Sequence, residues 1–196
     1  MPIITVTLLE GYDSSLRSRL ASRLSDTARA VTGTVADGVS VVINEVAADN
    51  YPGDGQYRQP GSPPPQAKDL VQDYLTAMEN RDLDRARSFL SPEFTMTFPG
   101  NHHFHDLEQL IDWARKRYQS VSKTYQQFDE SIGSDGTVVY CFGTLQGIWL
   151  DGSTFSGIRF IDRFLACDGK LQNQEVWNDL GESLFKVLTS SSKLKK

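Results

Sequence analysis

The second residue of the chain is a proline. Removal of Met1 ahead of so small a residue would leave a secondary amine at the chain start. An α-amino group titrates at about 7.7 to 8.0 in the open, and an apolar surround lowers that value by disfavouring the ammonium. The result is a base poised near neutrality. It can take a proton α to a carbonyl and return it elsewhere, or attack the carbonyl to form an iminium. Proline is equally at ease at the start of a strand, so position alone does not assign Pro2 this role.

A second set of chemistry-bearing residues lies far along the chain. All three histidines fall within Asn101-His102-His103-Phe104-His105. Such a cluster can ligate a metal, supply one acid or base at a pocket mouth, or form a solvated turn. His102 and His103 point apart in extended chain, and no fourth ligand has diagnostic spacing, so no metal is expected and His103 is the candidate acid or base. Asp179 closes an apolar run after Trp177. Burial against the indole would raise its carboxyl into a useful range, and a turn aspartate before Leu180-Gly181 is the alternative. Asp162 shares a strand face with Ile158, Phe160 and Phe164, where an ion pair with a neighbouring strand is expected. Arg159 and Arg163 share the other face. Tyr140, Phe142, Trp149 and Phe155 read as core residues, with Tyr140, Arg159 and Trp177 also candidate substrate contacts. There is no Gly-rich phosphate loop, Ser-His-Asp order or nucleophilic cysteine setting. Cys141 and Cys167 are too few for a disulfide framework or a cysteine-rich metal site.

The elements that must position these groups form two sets. Ile3 to Leu9 is a strand ended by Glu10-Gly11; Leu16, Leu20, Leu24, Ala28 and Val31 recur at helical spacing behind a cap at Asp13 or Ser14; Gly33 closes that helix; and Val39 to Val46 is a second strand. The crossover is long enough for parallel pairing. Turns follow at 50–55. Half of the eight prolines then crowd into Gln59-Pro60-Gly61-Ser62-Pro63-Pro64-Pro65-Gln66, which supports neither helix nor central strand. We expect a first domain at 1–58, a linker at 59–66, a second domain at 67–183 and a frayed tail at 184–196. A two-stranded unit of about 58 residues cannot bury enough surface alone, so a homo-oligomer or docking on the second domain is expected.

In the second domain, apolar stripes predict helices over Leu70 to Met78, over Leu83 to Leu90 with Ser91-Pro92 as the stop, and from the Asp106 cap through Tyr118. Phe94 to Phe98 is a short strand. Period-two patterning then runs through 124–130, 137–149, 154–166 and 171–177, punctuated by Ser134-Asp135-Gly136, Asp151-Gly152 and Asp168-Gly169. The fold class is α+β: an N-terminal βαβ unit, then a cone of three helices on a curved antiparallel sheet. A cone of this kind has an apolar interior, a natural small-molecule pocket.

Two resemblances attach to these residues. Pro2-Ile3-Ile4-Thr5-Val6-Thr7-Leu8-Leu9-Glu10-Gly11, the amphipathic helix, the Val39 to Glu45 strand and the Tyr51 turn resemble the 4-oxalocrotonate tautomerase family over residues 2–58. That resemblance implies Pro2 as the catalytic base of a βαβ unit that assembles into symmetric oligomers, and Tyr51 as a pocket wall. Where the family's best-known members carry arginines that grip carboxylates, this chain has Tyr12 and Ser40, so the substrate implied for this unit is neutral or phenolic, or the unit keeps only the fold. Tyr12 can donate a hydrogen bond to an enolate oxygen. Asn80-Arg81-Asp82, Phe94 to Gly100, Gly157 to Phe164 and Glu175-Val176-Trp177-Asn178-Asp179 are similar to a SnoaL-like domain of the nuclear transport factor 2 superfamily over residues 67–183. The superfamily includes polyketide cyclases, ketosteroid isomerases, scytalone dehydratases and binders without activity. The implied function is a tautomerase or isomerase acting on an enolisable carbonyl compound, with a cyclase or dehydratase step in a pocket for a polyketide-like substrate, in secondary metabolism. The alternative is a non-catalytic, oligomeric small-molecule-binding protein. No cofactor is expected, because keto–enol chemistry needs only a base and a stabilised oxyanion.

Composition narrows the partners. With 196 residues and 20 basic against 25 acidic side chains, the net charge of −5 argues against nucleic acid or an anionic membrane as the main partner. No apolar run approaches the roughly 18 residues that a spanning helix needs, and the N-terminus lacks the order of a signal peptide. A cytoplasmic protein with a small carbonyl or aromatic substrate is the expectation.

Overall fold

A computed structural model describes residues 1–53 and 56–184. The chain divides into two compact units, Met1–Pro63 and Pro64–Lys196. Residues 58–66 carry no regular secondary structure. Beyond residue 184, the expected tail lies outside the described residues.

The first unit is a βαβ crossover. Strands β1 (Ile3–Leu9) and β2 (Ser40–Val46) pair in parallel, with Ile3 opposite Ser40 and Leu9 opposite Val46. Between them runs helix α1 (Ser14–Thr32), capped by Asp13, whose carboxylate accepts the Leu16 N–H at 2.8 Å. That bond, aided by the Ser15 hydroxyl, holds the Asp13 carboxyl below the usual carboxylate range. Gly33 ends the helix with φ 69, the left-handed conformation that glycine adopts without a steric penalty. After β2 come a short 3-10 turn at Ala48–Asn50 and the two-residue strands β3 (Pro52–Gly53) and β4 (Gln56–Tyr57), which pair antiparallel. The alternation of β1 and β2 leaves Ile3 71% and Val42 45% exposed. No apolar side chain of this unit is fully buried among the described residues.

The second unit sets helices α2 (Ala67–Glu79), α3 (Leu83–Ser88) and α4 (Leu107–Arg115) with a six-stranded sheet. Its strands are β5 (Leu90–Phe98), β6 (His102–Phe104), β7 (Tyr118–Gly133), β8 (Gly136–Trp149), β9 (Thr154–Cys167) and β10 (Lys170–Asn178), in the spatial order β6-β5-β10-β9-β8-β7. Neighbours pair antiparallel except β5 with β10, which run parallel. Three details differ from the sequence expectation. β5 begins before Pro92, because its ladder with β10 skips from Leu90 to Thr95 and asks no N–H of the proline. The histidine segment contributes β6, an edge strand on β5. Helix α4 stops at Arg115, and Tyr118 opens β7 opposite Trp149, where cross-strand pairing of two aromatics outcompetes another helical turn.

Curvature comes from β7. Its register with β8 shifts between Tyr118 and Ser120 and again between Tyr125 and Gln127, two bulges that bend the strand. Gly143 on β8 faces the second: a Cβ there would lie 1.9 Å from the Thr124 carbonyl oxygen, so only glycine fits. The core packs sheet side chains, including Met96, Val139, Phe164 and Leu171, with Val71 and Tyr74 of α2, all exposed by 1% or less.

Cys141 lies in that core, and burial, reinforced by the nearby Asp162 charge, pushes its thiol up to about 12. In the native protein at pH 8, a thiol-specific chromogenic reagent should therefore titrate one cysteine per chain, Cys167. In denaturant it should titrate both. Two fast-reacting thiols without denaturant would contradict this packing.

Candidate functional site

A cavity of about 280 Å³ opens within the second unit. Its apolar walls come from Leu75 and Met78 on α2, from Leu110 and Ile111 on α4, and from Val121 on β7. Polar groups reach it from Tyr74, Tyr118, Lys123, Tyr125 and Gln174, with Glu79 and Arg81 contributed by the C-terminal end of α2. Mostly apolar walls carrying a few convergent polar groups are the usual make-up of a small-molecule site.

The strand alternation of β7 brings Val121, Lys123 and Tyr125 to the inner face, and the bulge after Tyr125 then hands the inward place to Phe128. Lys123 is thus a cationic residue at a core-facing position. Its ammonium lies 4.6 Å from the Phe160 ring centroid and donates a hydrogen bond to Oδ2 of Asp162, reaching past β8 to β9. Asp162 is wholly buried, whereas the Lys123 side chain keeps 21% exposure. The same carboxylate oxygen accepts Gln174 Nε2 at 3.2 Å, and the Gln174 Oε1 accepts the Tyr74 hydroxyl at 3.3 Å. Asp162 Oδ1 is buried with no hydrogen-bond partner among the described residues. The ion pair expected for Asp162 is therefore present, with its partner two strands away.

This arrangement has a definite chemical capacity. An ammonium fixed at an apolar wall, with its counter-charge behind it in the core, stabilises negative charge arising on a ligand oxygen, and the low dielectric amplifies the effect. The phenols complement it. Burial pushes the Tyr74 hydroxyl well above its ordinary range, and burial with the Glu79 and Asp162 charges does so for Tyr125. Tyr118 is also raised, burial outweighing the opposing pull of Arg117 and Arg81. All three therefore stay protonated at neutral pH as hydrogen-bond donors. Tyr125 donates to Glu79 Oε1 at 3.4 Å, and Glu79 is the carboxylate among the described lining residues.

The candidates read from the sequence lie elsewhere. Pro2 is half-buried, and its carbonyl accepts the Ser40 N–H at 3.1 Å, so these two are neighbours. Tyr12 is half-buried with its carbonyl accepting Arg17 Nη1 at 2.6 Å, and Tyr51 is 47% exposed. No hydrogen bond among the described residues joins either tyrosine hydroxyl to Pro2. In the second unit, Asp179 takes the turn place before Leu180-Gly181, its carbonyl accepting the Ser183 N–H at 3.1 Å, and is not buried against Trp177: it is 42% exposed and accepts Arg159 Nε at 2.7 Å, while Trp177 is itself 51% exposed. Tyr140 sits opposite Arg163 and alternates away from buried Cys141. His103 is exposed on β6 with Nδ1 3.2 Å from Thr97 Oγ1. None of Asp179, His103, Tyr140, Arg159 and Trp177 lines the cavity. No group of three or more His, Cys, Asp or Glu among the described residues is arranged to hold a metal ion. Lys123, Gln174, Tyr125 and Arg81 were not singled out as functional from sequence; the available signal was a charge between Val121 and Tyr125 in an alternating run.

Removing Lys123 alone would strand a buried carboxylate. Lys123→Met is expected to cost about 3 kcal/mol of unfolding free energy in a urea titration. Adding Asp162→Asn to that variant should recover more than half of the loss. A cost under about 1 kcal/mol for the single substitution would mean the pair is not holding the site together.

Comparison with known proteins agrees with this architecture. Residues 71–173 match the family model of the SnoaL-like domain, and residues 2–57 match that of the tautomerase enzymes. No curated protein matches the chain. Among solved structures, an NTF2-like protein of unknown function from Burkholderia pseudomallei K96243 aligns with a TM-score of 0.51 at 19% identity, covering 60% of this chain and 93% of that one. TerC, co-crystallised with polyporic acid, aligns at 0.50 and 18% identity, covering 56% of this chain and 88% of its own. Identities this low speak to the fold, whereas the family match takes in more than half of the chain. The chain therefore belongs to the SnoaL-like domain family, and it carries ahead of that domain a βαβ unit that matches the tautomerase enzymes.

Proposed function

We propose that the protein is a cofactor-independent isomerase of the tautomerase and cyclase type, acting on small enolisable carbonyl compounds. The observation that carries this reading is the apolar cavity with the Lys123 ammonium held at its wall by Asp162. Keto–enol chemistry places its developing charge on one oxygen, and a pre-positioned cation answers that charge without reorganisation. In the cone, Glu79, the lining carboxylate, would take the proton from the carbon beside a ligand carbonyl whose oxygen, now an enolate's, lies against Lys123. The enolate then attacks a second carbonyl to close a ring or expels a β-hydroxyl as water, the Glu79 proton going to the oxygen formed or leaving, with the Tyr118 phenol as a further donor.

The first unit has a base and a reaction of its own. Once Met1 is removed, the Pro2 nitrogen takes a proton from the carbon α to the carbonyl, the electron pair moves to oxygen, and reprotonation completes the tautomerisation. Self-association belongs to the same proposal: Ile3 and Val42 present apolar surface that a second copy would cover. A small-molecule binder without activity is the competing reading.

The test is solvent exchange of the C3 protons of phenylpyruvate in D2O, followed by proton NMR, with intact mass confirming loss of Met1. Exchange should exceed the buffer rate, and Pro2→Ala should slow it at least about 100-fold, the lower end of what a general base contributes. Equal rates for Pro2→Ala and parent would remove the proline from the mechanism. Exchange at the buffer rate despite measurable binding would favour the binder.

A further inference from the structure

Helix α2 ends with Arg81 N–H donating to the Met78 carbonyl at 3.2 Å and Asp82 N–H to the Ala77 carbonyl at 2.9 Å. This pair of bonds defines a Schellman close, whose left-handed position is ordinarily glycine. Here it is Arg81, at φ 59. A side chain in that region is held against a steric cost, so something else must account for the residue. Burial does not, because Arg81 is exposed. Ion pairing within the protein does not either: no carboxylate among the described residues pairs with it, whereas neighbouring Arg85 and Arg87 both have acidic partners. What Arg81 does is line the cavity. The other cation of that lining is Lys123, whose charge Asp162 already answers.

We infer that Arg81 is the carboxylate anchor of the cone, so its ligand is a small, largely apolar carbonyl compound bearing one carboxylate. The guanidinium at the rim grips the carboxylate through its paired N–H donors, and Lys123 meets the carbonyl oxygen. Size agrees with one such molecule. About 280 Å³ lies just under the roughly 300 to 1,000 Å³ of typical small-molecule pockets, too little for an extended polyketide chain. The inference rests on the reading of the cone as the chamber for an enolisable carbonyl compound, but it concerns recognition and does not require turnover.

Isothermal titration with phenylpyruvate and with its uncharged methyl ester separates the two ideas. Parent protein should prefer the acid. Arg81→Gly should weaken phenylpyruvate about tenfold while changing the ester less than about twofold, and Arg81→Lys should fall between. Because glycine suits the left-handed position, Arg81→Gly should melt no lower than the parent, which rules out misfolding as the cause. Equal loss for acid and ester, no loss for the acid, or binding of neither compound by the parent would overturn the inference. Proton exchange with no Arg81 dependence of binding would sink this inference alone. Arg81-dependent binding with no exchange would sink only the proposed activity.

Discussion

A carboxylate wholly removed from solvent in an apolar sheet is costly unless it is answered, and Asp162 is answered by Lys123 and Gln174. The rest of the second unit follows from that requirement. Gln174 must be held by the Tyr74 hydroxyl, which draws α2 onto the sheet, and Lys123 must turn inward from β7 although its charge favours water. The resulting wall has the negative charge sunk in the core and the positive charge presented to the cavity. Such a polarity suits the binding of an electron-rich oxygen and disfavours an isolated cation.

Backbone geometry makes the pair reachable. Lys123 lies between the two bulges of β7, which bend that strand over β8, and Gly143 and Gly147 admit the bends by lacking a Cβ that would meet the Thr124 and Ser120 carbonyls. Cys141, opposite Asp162, is a small core residue over which the lysine stem can pass. The first unit follows a different logic. Its parallel ladder and Asp13-capped helix give a regular scaffold, yet among the described residues its apolar side chains remain at least partly exposed.

Much of this was legible in the residues. Period-two runs marked the four long strands, Asp13 or Ser14 and Asp106 marked helix starts, and the placement of Asp162 among Ile158, Phe160 and Phe164 pointed to an ion pair with a neighbouring strand. What the residues did not reveal depends on contacts distant in sequence. The partner of Asp162 is 39 positions away on a strand that is not its neighbour, and only the curvature brings them together. Asp179 holds the turn position that its place before Leu180-Gly181 suggested, whereas Trp177, a candidate substrate contact, is turned outward by the alternation of β10. Helical spacing runs from α4 on into Tyr118, but strand pairing competes for the same residues there, and pairing with Trp149 prevails.

In this account the Lys123 ammonium is the group that meets the ligand's carbonyl oxygen. A crystal structure of the protein soaked with phenylpyruvate tests it most directly. The account predicts the ligand inside the cone with its carbonyl oxygen about 3 Å from Lys123 Nζ, the Lys123 to Asp162 contact intact. A ligand bound on the outer face of the sheet, or within the cavity with its carbonyl turned away from Lys123, would contradict it.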